Sequence, residues 1–269
     1  MSLPSTQTLE LHESGFVLHV HLNRPDVRNA MSLLMTQELS AVFTAIAERP
    51  DIRAVVLRGK AGHFCAGGDI KDMAGARALA ANSGNDEAYF SLNRAFGSLI
   101  DQVDHAPQVV VVALEGAVLG GGFGLACVSD VAISMNNAQF GLPETGLGIL
   151  PAQIAPFVVK RIGLTQARRL ALLGARFNGD EALRLGIVHQ VVNSTEELGT
   201  AIETTLSQIK RCAPQANRAT KALLHRVGNE PLDNLLDDAA RQFARAVAGS
   251  EGAEGTMAFV QKRLPTWAE

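Results

Sequence analysis

At 269 residues, the chain has room for one large domain or two small ones, and a chain of this size buries about 70% of its unfolded surface. A hydrophobic share of 47% against 19% charged residues excludes a disordered polypeptide. Lys plus Arg (24) against Asp plus Glu (27) leaves a net charge of -3 with no block of like charge, so nucleic acid has no electrostatic footprint here.

The first residues, Met1 to Thr6, carry neither a basic nor an apolar export region, so a cytoplasmic location is expected. Glu10 to His12 and Phe16 to Leu22, either side of Ser14-Gly15, predict a β-hairpin. His19 and His21 then share a strand face, but no carboxylate or cysteine completes a metal set, and a solvated polar face is the reading adopted. Asn23-Arg24-Pro25 breaks the strand. From Ser32 onward Met35, Leu39, Val42, Phe43 and Ile46 keep the helical period up to Pro50.

A strand over Arg53 to Leu57 leads into a glycine-rich turn, Lys60 to Asp69. The small-residue stretch Lys71 to Glu87 is expected to be mobile, a place for a lid. Helical spacing resumes over Tyr89 to Val103, with Phe90, Asn93, Phe96, Ile100 and Val103 assigned to the inner side, before a buried strand at Val109 to Leu114. The apolar run Gln108 to Ile133 is broken by Glu115, glycines and Asp130, so it falls short of the ~20 residues of a membrane span. Beyond Pro151 the pattern is nearly all helix: 154–162, 165–173, 180–185, 196–211, 214–226, 231–247 and 251–262. The change divides the chain into an α/β part, residues 1–190, and a helical part, 191–269, with no flexible linker between them. Apolar residues on more than one side of these helices (Leu170, Leu172, Leu173; Phe243, Val247) predict self-association.

Two glycine turns could carry chemistry. Gly120-Gly121-Gly122-Phe123-Gly124 follows an apolar strand and opens a helix, so unpaired amides converge at the positive end of its dipole. The run satisfies neither G-x-G-x-x-G nor the P-loop pattern. Phe64-Cys65-Ala66-Gly67-Gly68-Asp69-Ile70 is a second such turn, and two amides aimed at one oxygen would stabilise a developing oxyanion. Glu144 lies in an apolar loop, Phe140 to Gly148, where burial would raise its pKa towards neutrality and suit proton transfer next to a carbonyl. Taken alone, that loop would equally suit a capping or ion-paired glutamate. Cys65, Cys127 and Cys212 are widely spaced, form no C-x-x-C pair and are read as buried thiols of a reducing compartment. The absence of G-x-S-x-G and H-E-x-x-H removes support for a serine hydrolase or a zinc peptidase.

Leu22-Asn23-Arg24-Pro25 with Asn29-Ala30, Phe64 to Ile70, Gly116 to Gly122, Ala138 to Gly141 with Pro143-Glu144, and Gly186-Ile187-Val188 occur in an order that resembles the enoyl-CoA hydratase/isomerase (crotonase) family. The likeness covers nearly the whole chain. It implies an α/β fold, a crotonase-like spiral of ββα turns, with a C-terminal helical region that trimerises, as a trimer or a dimer of trimers. It also implies an acyl-CoA thioester substrate, whose CoA is part of the substrate, with no separate cofactor, metal, nucleic acid or membrane partner. Carried over by motif, the amides of Ala66 and Gly121 would form an oxyanion hole and Glu144 would be the acid/base. Arg28 and Lys262 would touch the CoA moiety, although either is equally well a solvated surface charge.

The chain departs from the best-known hydratases at Gly124, where they carry a first glutamate. Glu115 and Asp130 match positions that look structural. The Gly-Gly-Gly-x-Gly-Leu run followed by Leu150 to Pro156 resembles bacterial hydratases of branched glutaconyl-CoA substrates, 3-methylglutaconyl-CoA or isohexenylglutaconyl-CoA. On this reading the missing carboxylate leaves room for substrate and spares a substrate carboxylate from repulsion. Two alternatives remain at this point, a single-glutamate double-bond isomerase and a weakly catalytic binding member of the fold.

Overall fold

A computed structural model gives the architecture and describes residues 2–269. The chain divides into two compact units, residues 1–202 and 203–269. The division falls inside a helix, not at residue 190 where the composition changes.

The first unit opens with the expected hairpin, β1 (Leu9–Ser14) and β2 (Val17–Leu22), turned at Gly15 with φ 56°. Helix α1 (Leu33–Ala47) begins at Ser32, whose hydroxyl accepts the Met35 amide at 3.1 Å, and all five residues that marked its period are buried. There follow β3 (Ala54–Gly59), α2 (Ile70–Ser83), α3 (Glu87–Asp104), β4 (Val109–Leu114), β5 (Ala117–Leu119), α4 (Gly121–Val128), β6 (Val131–Met135) and β7 (Gln139–Gly141). Then come α5 (Ala155–Leu173), β8 (Arg176–Phe177), α6 (Gly179–Arg184), β9 (Gln190–Val192) and α7 (Thr195–Arg211), within which the first unit ends.

Six strands form one sheet in the order β1-β2-β3-β4-β6-β9, parallel apart from the hairpin, and β5-β7-β8 form a second, three-stranded sheet. Consecutive strands alternate between the two: β4 to β5 to α4, then β6 to β7. That alternation is the ββα spiral. The inner strands β3 and β4 are buried on nearly every residue, as parallel strands covered on both faces require. Phe123 of α4 meets Phe140 of β7 edge-on at 6.3 Å, and Phe140 stacks on Phe177 of β8 at 5.6 Å, which anchors the glycine-led helix on the small sheet.

The expected mobile lid is helical. Asp69 caps α2 by accepting the Lys71 amide at 2.7 Å, alanines fill its interior, and Gly84 closes it in the left-handed conformation at φ 69°. Sparse large apolar residues hid this helix, because period depends on them. In α3 the inner face holds Ile100 and Val103, whereas Phe90 and Asn93 are exposed, so its first turns stand proud of the core. The two predicted helices 154–162 and 165–173 join as α5, bent at Gly163 with φ 73°.

The second unit contains α8 (Pro214–Arg226), α9 (Leu232–Ala248) and α10 (Ser250–Val260). Phe243, Val247, Phe259 and Val260 are exposed there. No helix among the described residues is long and apolar enough to cross a membrane.

Candidate active site

The two glycine turns are stitched together by backbone. Cys65 donates its amide to Ala117 O at 2.8 Å and accepts the Leu119 amide at 2.9 Å, which carries the first turn alongside β5 up to the start of α4. On its other side, Met31 donates to Gly67 O at 2.8 Å and accepts the Asp69 amide at 3.0 Å. Asp69 also pairs with Arg24 at 2.7 Å. Asn29, fully buried in the left-handed region at φ 56°, accepts the Arg24 amide at 2.8 Å and donates to Lys60 O at 2.9 Å and His63 O at 2.6 Å. The Asn-Arg-Pro segment thereby fixes the first glycine turn.

These bonds correct one sequence assignment. The Ala66 amide donates to Arg28 O at 3.0 Å, so it has no capacity for a substrate oxygen. Of the neighbouring amides, that of Gly67 lies against the Cys65 sulfur and that of Asp69 is bonded to Met31. Gly68 is left, with no acceptor for its amide among the described residues. The same holds for Gly121, the first residue of α4, as helix geometry demands. At these two turns the amides left without an acceptor are therefore those of Gly68 and Gly121. Sequence alone hides this two-residue shift, because it depends on which amides a neighbouring segment consumes.

Glu144 reaches the same place from the other side. It opens a single turn of 3-10 helix, Glu144–Leu147, just after β7, and β7 is tied to the glycine run by the Gly120 amide bonding Gly141 O at 3.1 Å. A Cβ on Gly120 would stand 2.9 Å from Glu144 Oε1 and 3.4 Å from Gly67 Cα. One glycine thus touches both the carboxylate and the other turn. Glu144 Oε2 is buried with no hydrogen-bond partner among the described residues, and burial pushes the carboxyl pKa up from its ordinary value of 4.5. An unpaired buried carboxylate oxygen costs stability, a cost that functional sites retain, and a raised pKa is what proton exchange near neutrality needs.

Gly124 does not leave an open space. A Cβ there would overlap Ile154 Cγ2 and lie 2.8 Å from Ile100 Cδ1, so two isoleucines already occupy the place of a second carboxylate. The expected extra room for substrate is absent, and an apolar plug stands in its stead. At Gly121 a Cβ would meet the Phe96 ring edge at 3.0 Å. Helical spacing places Phe96 and Ile100 on an inner face, and in the structure this face lies against Gly121 and Gly124.

Glu115 pairs with Arg58 at 2.7 Å and Asp130 accepts the Val110 amide at 2.7 Å, structural roles in both cases. Arg28 is exposed beside the first glycine turn, in the left-handed region at φ 50°. Lys262 belongs to the second unit, at φ 54°. Cys65 and Cys127 are buried, with thiols pushed by burial up to about 11 and about 12, whereas Cys212 is exposed, contrary to the expectation of three buried thiols.

Comparison with known proteins places this geometry among acyl-CoA chemistry. The enoyl-CoA hydratase/isomerase family model matches residues 12–269. The carnitinyl-CoA dehydratase of Proteus mirabilis is 31% identical over 97% of this chain and 98% of its own. The mevalonyl-coenzyme A hydratase of Aspergillus fumigatus is 32% identical over 93% of this chain and 91% of its own. The solved structure of Pseudomonas aeruginosa AtuE superposes with a TM-score of 0.95 at 64% identity, covering 98% of this chain and 100% of that one.

Proposed function

This chain belongs to the enoyl-CoA hydratase/isomerase family of enzymes, and on that premise we propose that it adds water across the Cα=Cβ bond of a branched glutaconyl-CoA, 3-methylglutaconyl-CoA or isohexenylglutaconyl-CoA. The observation that carries the reading is the convergence of Glu144, half-buried with its Oε2 enclosed and unpaired, on Gly120 between two amides without acceptors, those of Gly68 and Gly121.

The thioester oxygen sits between the Gly68 and Gly121 amides. The Glu144 carboxylate takes a proton from water as its oxygen bonds to Cβ, and the π electrons move to the thioester oxygen as an enolate. The protonated Glu144 then returns that proton to Cα, so one molecule of water is added and no group is left changed. Each amide that bonds the enolate more strongly than the ketone-like ground state lowers the barrier, about 10²–10³ in rate per donor. Arg28 meets the CoA phosphates from outside the first turn.

Glu144→Gln should lower hydration by about 10²–10⁴ while CoA-ester binding persists. Wild-type turnover in that variant would end the proposal. A screen across crotonyl-, 3-methylglutaconyl- and isohexenylglutaconyl-CoA tests the acyl preference.

One observation favours a second reading, double-bond isomerisation: the apolar plug at Gly124 leaves a single carboxylate, which suffices to carry a proton between Cα and Cγ. Incubation with 2-enoyl- and 3-enoyl-CoA in isotopically labelled water separates the two, since only hydration places the label in a hydroxyl group.

A further inference from the structure

The first turns of α3 carry a polar group that the site described so far does not use. The Phe96 ring faces Gly121 and Ile100 faces Gly124, so α3 and α4 lie side by side in the same sense. Residues that precede Phe96 on α3 therefore stand at or beyond the N-terminal end of α4, the end from which the Gly121 amide points. Asn93 and Arg94 are there. Gln153 joins them from the segment before α5, donating its Nε2 to Asn93 Oδ1 at 2.9 Å.

Gly97 makes this arrangement possible. A Cβ at that position would run into the Gln153 carboxamide and lie 2.8 Å from Arg94 Nη1, so both side chains lean over the same bare patch of α3 backbone. The next residue, Ile154, is the one that fills the space at Gly124. The guanidinium thus lies over Gly97, one turn along α3 from Arg94, close to the residue that precedes Ile154 in the chain. Arg94 is exposed, and its guanidinium has no carboxylate or carbonyl partner among the described residues. An exposed cation with no counter-ion, on the turns of α3 that adjoin the N-terminal end of α4, is chemically suited to receive a carboxylate.

We infer that Arg94, lying over Gly97 near the Asn93–Gln153 pair, is the specificity residue that recognises the far carboxylate of a dicarboxylic enoyl-CoA. The inference rests on the glutaconyl reading above and adds the group that would select such a chain over an uncharged one. It also gives the isoleucine plug a partner role: the carbon branch meets Ile100, Ile154 and Phe96, and the charged end passes to Arg94.

The test compares 3-methylglutaconyl-CoA with 3-methylcrotonyl-CoA, which keeps the branch and lacks the terminal carboxylate. The readout is the ratio of their kcat/KM values in wild type, Arg94→Gln and Arg94→Lys. A wild-type preference for the diacid that falls by about 10-fold in Arg94→Gln, with part retained in Arg94→Lys, is the result expected of losing one charge-assisted hydrogen bond. A preference that survives Arg94→Gln overturns the role of Arg94 and leaves the glutaconyl reading standing. Equal losses on both substrates mark a structural role and overturn it too. No diacid preference in wild type overturns the glutaconyl reading itself, and the inference falls with it.

Discussion

Gly120→Ala separates the two jobs of one glycine. Gly120 holds φ 50° and ψ -116°, a region that side-chain-bearing residues occupy only under strain, which sets a cost of about 1–3 kcal/mol. The new Cβ would also stand 2.9 Å from Glu144 Oε1, too close to stay. That oxygen ends a flexible side chain, so the clash resolves by rotating Glu144, which is cheap in stability and expensive in chemistry. Displacement of a reacting group by ~1 Å costs about 10²-fold. Gly121→Ala is a control for stability alone, since its amide is one of the proposed oxyanion donors: its φ is not in the positive region, its Cβ meets only the Phe96 ring edge at 3.0 Å, and helix propensity offsets the crowding to within about 1 kcal/mol. Urea denaturation and steady-state kcat/KM on the same preparations read the two quantities. In the double variant with Glu144→Gln, Gly120→Ala should lower stability again but turnover hardly at all, because the group it displaces has already been disabled. Full turnover in a destabilised Gly120→Ala protein would refute the placement of the acid/base.

Burial raises the Glu144 pKa above 4.5, so the native state holds that proton more tightly than the unfolded chain does, and the ionised group costs stability at neutral pH. Glu144→Gln should therefore be more stable than wild type at pH 7, with the gap closing as pH falls through the folded pKa towards 4.5; a gap independent of pH in urea titrations contradicts this. Asn29→Ala removes three hydrogen bonds and a residue suited to φ 56°, a loss of about 2–4 kcal/mol measurable by the same titration. A thiol reagent at pH 8 should label Cys212 quickly and Cys65 and Cys127 only after unfolding, since burial lifts the latter two to about 11 and about 12. Light scattering should give three or six chains per particle, as the exposed Phe243, Val247, Phe259 and Val260 require a covering surface, and a monomer would refute it.

What could be read from the sequence followed the reach of periodic signals. Helix α1 was legible because Met35, Leu39, Val42, Phe43 and Ile46 all pay tribute to one buried face, and β3 and β4 because parallel strands are apolar throughout. Helix α2 was not, since a helix built from alanines with one buried residue has propensity but no stripe. Glu144 and Gly121, which the structure brings to one place around Gly120, stood out in loop composition and in a glycine-led helix. Gly68 did not, because its availability is decided by bonds that Arg28 and Met31 make from a segment some forty residues earlier. The plug at Gly124 was invisible for a like reason: a missing side chain is seen in sequence, whereas what fills its place comes from α3 and the segment before α5.

On the proposed mechanism one carboxylate is enough. Glu144 Oε1 lies against Gly120, next to the amide proposed to hold the enolate oxygen, so a charge on either oxygen is felt by the other. During hydration the negative charge leaves Glu144 as it appears on the thioester oxygen, and returns when Cα is protonated. The site then carries a single negative charge at every stage. A second ionised carboxylate at position 124 would add repulsion at each of those stages and would repel an acyl chain that ends in a carboxylate of its own. Ile100 and Ile154 remove that charge, and the cation left unpaired nearby is Arg94, which would offset the charge the substrate brings. Arg94→Glu should therefore do more harm than Arg94→Gln on a diacid substrate and less on an uncharged one, a sign pattern that size or packing effects do not produce.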